Sequence, residues 1–166
     1  MRSSRKGSIL LESALYLPLF FLLLVGMVEL ARVSYTYYSI QKILYTLART
    51  VGTQQGVNFC DASDAAVVAA KNLALTGSTD NSGTPYVNGL DAGMIEIRIE
   101  RRNTDTGELE TCECAVPGCD AGAGGTSPEF LVVSIPDGYP IQLRFPTFTP
   151  DPIPLRFQVR IPYGGT

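Results

Sequence analysis

Histidine is absent from the 166 residues. Without an imidazole, Ser-His-Asp and Cys-His catalysis, His-ligated metals and imidazole general bases are excluded, leaving an enzyme only carboxylates, Lys, Tyr or Cys. Charge is also scarce. Only 17% of residues are charged, with 13 basic against 16 acidic, for a formal net charge of -3. No long basic run interleaves with aromatics, which argues against nucleic acid as the main partner. Phosphate-binding loops, a redox C-x-x-C and internal repeats are likewise missing, and nothing in the sequence calls for a cofactor. The length suits one modest domain plus an appendage.

Apolar residues concentrate near the start. No charged residue occurs between Ser13 and Val28, and Ile9 to Ala31 is interrupted only by Glu12 and Glu29. A hydrocarbon core of about 30 Å needs roughly 20 helical residues, a length that Leu10 to Glu29 supplies with a carboxylate near each edge. A cleaved secretory signal fits less well, because no small-x-small site follows the run and its apolar part is too long. Arg2, Arg5 and Lys6 precede the span, whereas only Arg32 follows closely. The positive-inside bias therefore puts the N-terminus in the cytoplasm and the rest of the chain outside. Pro18 should kink or loosen the helix locally, as membrane helices tolerate. Glu29 and Arg32, spaced i, i+3, can pair where the span meets water and mark its boundary. Tyr35, Tyr37 and Tyr38 follow at interfacial depth.

The opening MRSSRKG ends in Gly7, and Glu12 is the fifth residue counted from Ser8. This resembles a prepilin leader, although Ser13 stands where that pattern has an aromatic. The resemblance implies cleavage by a membrane peptidase between Gly7 and Ser8, and a carboxylate at Glu12 that guides assembly. Glycine leaves a protease cleft unobstructed, and a new amine at Ser8 could pair with Glu12 of a neighbouring subunit. Such pairing would offset a cost of about 2.5–3.5 kcal/mol for a carboxylate in lipid. In the longer string KGSILLESALYLPLFFLLLVGMVELARVSY, residues Glu12, Ala14, Pro18, Gly26, Glu29 and Arg32 recur at the intervals of TadE-like proteins. The chain is similar to that family over Lys6 to Tyr38. The resemblance implies a pseudopilin or minor pilin of a tight-adherence (Flp) pilus or secretion system. It also implies an inner-membrane helix carrying a small exported domain, with other pilins, pilus-assembly membrane proteins, the prepilin peptidase and membrane lipid as partners.

Beyond the span, Val33, Tyr37, Ile40, Leu44, Leu47 and Val51 form a heptad-like stripe, so the helix should continue toward Gly52 and cover the protein's own sheet, with packing against sister helices as the alternative. From Leu10 to Val51 that is roughly 63 Å of helix. Asp61 or Ser63 is positioned to cap a second helix over Ala65 to Leu75 that closes at Gly77. Alternation predicts strands at Met94–Glu100, Phe130–Ile135, Ile141–Phe145 and Leu155–Ile161, hence an α+β fold with an antiparallel sheet of about four strands. Arg98, Arg144, Arg156 and Arg160 are expected on its solvated face. The organisation is thus a leader over 1–7, a membrane helix with its extension over 8–52, and an exported domain over 53–166.

Cys60, Cys112, Cys114 and Cys119 form an even set, and an exported location favours disulfides. The C-x-C-x4-C spacing lacks the paired C-x2-C knuckles of common zinc sites. Two pairings stay open: Cys60 with Cys112 and Cys114 with Cys119, or Cys60 with Cys114 and Cys112 with Cys119. The DNSG segment at Asp80 and the Gly-rich loop from Asp120 to Pro128 lack EF-hand ligand spacing and read as turns. The leading expectation is a non-catalytic pilus component. The competing one is a membrane-tethered binding module or adhesin that contacts an external ligand through the disulfide loop and the Arg-lined sheet face.

Overall fold

The computed structural model describes residues 4–80, 82–103, 105–112, 128–145 and 149–164, with side chains described from Glu12 onward. Helix α1 (Ser4–Gly52) is continuous over 49 residues and contains Pro18. Its first half is apolar without being covered: Leu15 is 71% exposed and Phe20 59%. Its second half changes character. Ile40, Leu44, Leu47, Ala48 and Val51 are each 0% exposed, so the outer stripe is a core element. Burying each of the larger side chains is worth about 1.5–3 kcal/mol.

Helix α2 (Ala65–Thr76) packs on this buried half through Val67, Ala70, Ala74 and Leu75. Its N-cap is Asp64, whose carboxylate accepts from the Ala66 and Val67 amides, rather than the expected Asp61 or Ser63. Asp61 is occupied locally, accepting from the amide and hydroxyl of Ser63 at 2.8 and 2.6 Å. Those bonds hold its carboxyl below the usual carboxylate range. Gly77 closes α2 at φ 80°, donating to the Leu73 carbonyl.

The sheet is antiparallel and curled, with strands β1 (Glu96–Arg102), β2 (Leu109–Thr111), β3 (Phe130–Ile141) and β4 (Ile153–Pro162) in the order β2-β1-β3-β4. Its inner face presents Ile97, Ile99, Leu131, Val133, Ile135, Phe157 and Val159 to the helices. The architecture is the α+β fold that the sequence predicts, but two strands differ. Ile141–Phe145 is no separate strand, since β3 continues from Phe130 as far as Ile141, and the three-residue β2 stands at the edge instead. On the other face, Arg98 and Arg160 flank Val132 in register. Val132 is fully buried there, and Arg160 pairs with Glu100 at 2.8 Å. Arg156 is exposed on β4, whereas Arg144 lies off the sheet, in the β3–β4 connection.

Candidate functional site

The residues singled out by sequence fall on α1 and on the loops around the core. Gly7 and Ser8 lie within the first turns of α1, outside the residues whose side chains are described. Glu12 is exposed on the same helix, one turn before the exposed Leu15, Tyr16, Leu17 and Leu19. A carboxylate on an otherwise apolar, uncovered helix face has two outlets in lipid, the headgroups or a cation on another chain.

Glu29 and Arg32 form an ion pair at 3.5 Å, with the Glu29 side chain 12% exposed and that of Arg32 38%. Both also reach beyond the helix. The Arg32 guanidinium donates to the carbonyl of Gln142, and the Glu29 carboxylate accepts from the Arg144 amide at 3.2 Å. The pair thus offers one donor and one acceptor to backbone groups two residues apart in a single loop, and both groups are satisfied. Sequence reasoning missed this second contact. Its partners are 110 and 115 residues away along the chain, and the loop carries no local pattern that names them.

The helix and sheet are held in a fixed direction. Tyr37 packs on Phe157 with ring centroids 5.2 Å apart, and at the far end of α1 the Gly52 carbonyl accepts from the Gly164 amide at 3.1 Å. Thus α1 and β4 run side by side in the same sense, and the β3–β4 connection lies at the Glu29 end of the sheet.

Neither Cys60 nor Cys112 is a free thiol. Cys112 is buried, with its amide donating to the Ile99 carbonyl, and Cys60 packs against the core from the loop before α2. Cys114, Cys119 and most of the Gly-rich loop lie outside the described residues.

A cleft of about 550 Å³ opens beside α2, lined by Phe59, Val67, Lys71, Met94, Ile97 and Pro136 among others. The Lys71 ammonium donates to the carbonyls of Ile95 and Ala92 at 2.8 and 3.3 Å, and burial pushes its pKa down. It serves to tie the short 3-10 turn (Ala92–Met94) to α2. Among the described residues no group of His, Cys, Asp or Glu is arranged to hold a metal.

One helix, Glu12–Gly52 as far as side chains are described, is long and apolar enough to cross a membrane. No curated protein and no solved structure matches the chain. The family model described as "TadE-like protein" matches residues 7–49, which is α1 almost end to end. The match covers about a quarter of the chain, and over this helix the chain is similar to TadE-like proteins.

Proposed function

We propose that the chain is a non-catalytic TadE-like pseudopilin or minor pilin of a tight-adherence pilus or secretion system. It sits in the inner membrane with residues 1–7 cytoplasmic and residues 53–166 outside. One observation carries the reading: a single unbroken helix bears Glu12 on an uncovered apolar face and then becomes the central core element of the C-terminal fold. The TadE-like match over residues 7–49 supports it. Orientation follows from Arg2, Arg5 and Lys6 on one side against Arg32 on the other.

In this proposal a prepilin peptidase cuts between Gly7 and Ser8, and the new amine of Ser8 takes the Glu12 carboxylate of an adjacent subunit as its counter-ion. Residues 9–28 then pack helix on helix in lipid, where a charge pair replaces an unpaired carboxylate. The cysteines brace the exported part in one of the two pairings given above, which an oxidising compartment permits.

Glu12→Ala tests the assembly role. The variant should insert and fold as the parent does, yet lose incorporation into the pilus system in cells that carry the machinery. If incorporation is unchanged, the assembly role of Glu12 is wrong and the tethered binding module becomes the better reading. N-terminal sequencing of the native protein should begin at Ser8; a retained Met1 to Gly7 would rule out processing.

A further inference from the structure

The loop that follows β3 is placed where the membrane surface should be. The centre of the span Leu10–Glu29 lies between residues 19 and 20, so Glu29 stands about 14 Å and Arg32 about 19 Å from it along the helix at 1.5 Å per residue. A hydrocarbon half-thickness of about 15 Å and a total half-thickness of about 20–22 Å put Glu29 at the hydrocarbon boundary and Arg32 within the headgroup layer. The pair therefore stands at the inner edge of the headgroup layer and within it, and both residues hold the loop: Arg32 through the Gln142 carbonyl, Glu29 through the Arg144 amide. A backbone tied to the helix at those two points cannot lie far above that layer.

The register leads to the same placement from the opposite direction. Phe130 pairs with Pro162 at one end of the sheet and Ile141 with Ile153 at the other. The 10 residues of β4 span roughly 30 Å of strand. With α1 and β4 parallel, the Ile153 end faces the span, while the β1–β2 hairpin, where Arg102 pairs with Leu109, lies at the remote end. The chemistry of the near end fits an interface. Leu143 and Phe145 are half-buried, Ile153 is 48% exposed, and Arg144 is exposed between the first two. Asp151 is the one acid among the described residues of the connection, and it too is exposed. An arginine set between apolar neighbours can lay its stem along acyl chains and its guanidinium on a lipid phosphate.

We propose that Leu143, Arg144 and Phe145 make a second contact with the membrane that α1 crosses, Arg144 meeting lipid phosphate, so that the sheet stands on the bilayer in one orientation. The inference rests on the single-pass reading of α1, and the test separates the two.

The chain has no Trp, so one introduced Trp is a clean depth probe. Full-length Tyr16→Trp, Leu143→Trp and Leu109→Trp are each reconstituted in phosphatidylcholine–phosphatidylglycerol vesicles with and without acyl-chain bromines near the carbonyl. Leu143→Trp should be quenched at least twofold by bromine with a blue-shifted emission, and Leu109→Trp should be unaffected. Tyr16→Trp should respond to bromines placed deeper in the chain. Adding Arg144→Glu to the Leu143→Trp protein should remove most of its quenching. If Tyr16→Trp is quenched and Leu143→Trp is not, the loop contact is wrong while the span stands. Equal quenching of Leu143→Trp and Leu109→Trp also overturns the proposal, since the sheet would then have no fixed orientation. If Tyr16→Trp escapes deep bromines, the single-pass reading fails and the loop contact falls with it. Ile153→Trp replaces Leu143→Trp if that variant does not fold.

Discussion

Tyr37 of α1 and Phe157 of β4 face each other with ring centroids 5.2 Å apart and planes inclined by 45°, joining the helix to the last strand just beyond the span. Tyr38 completes the group, edge-on to Tyr37 at 5.8 Å. A tyrosine that the sequence places at an interfacial anchor is thus also a packing contact. Tyr37 is 41% exposed and Phe157 only 2%, so the strand side chain carries most of the buried area.

A double-mutant cycle on Tyr37→Ala and Phe157→Ala, read by urea unfolding in detergent micelles, should give a coupling of about 0.5–1.5 kcal/mol for the ring pair. Phe157→Ala alone should cost more, about 3–5 kcal/mol, because it empties a core position. Additive single costs would show that the rings only abut.

Gly77 ends α2 at φ 80°, and a Cβ there would run into the Tyr86 hydroxyl. Gly77→Ala should therefore destabilise the fold by about 1–3 kcal/mol through left-handed strain and displacement of the ring. Tyr86→Ala in the same protein should return the part of that loss due to the ring. No recovery in thermal melts would assign the whole cost to the backbone.

Asp80 accepts hydrogen bonds from the Ser78 and Ser82 hydroxyls and from the Ser82 amide. These bonds, the Ser78 hydroxyl foremost, lower its pKa from 3.8 to about 2. A depressed carboxyl pKa stabilises the fold above the unfolded value and loses that contribution as pH falls through the folded one. The Ser78–Ser82 turn should accordingly loosen between about pH 4 and pH 2. Carboxyl chemical shifts of Asp80 followed over that range check it, and Asp80→Asn should abolish the transition. A midpoint near the unperturbed 3.8 would mean that the three bonds do not persist in solution.

The long helix was readable because two separate signals coincide on it: an apolar run, Leu10 to Glu29, long enough for a bilayer, then a stripe from Ile40 to Val51 that needs a sheet to cover. β3 was harder to delimit, since Pro136, Gly138 and Pro140 read as strand breakers. The pairing explains their tolerance. β1 accompanies β3 only as far as Glu96 opposite Ser134, so among the described residues no strand pairs with that edge of the later half of β3, where a missing amide costs no ladder bond. A shift in register between Ile135 and Tyr139 takes up the irregularity. β2, at three residues, is too short for alternation to register. The expected cap of α2 falls too early, at Asp61 or Ser63: Asp64 directly precedes Ala65 and reaches the Ala66 and Val67 amides, whereas Asp61 is taken up by Ser63. The loop contact with Glu29 and Arg32 had no sequence signal at all, because it joins residues more than a hundred apart.

The unbroken run of α1 from Ser4 through Gly52 also fixes how load passes through the molecule. A tether with a flexible joint would give up slack before any tension reached the sheet. Here the rod that is gripped at one end forms the spine of the fold at the other, so a pull on the anchored end is borne at once by Ile40, Leu44, Leu47 and Val51.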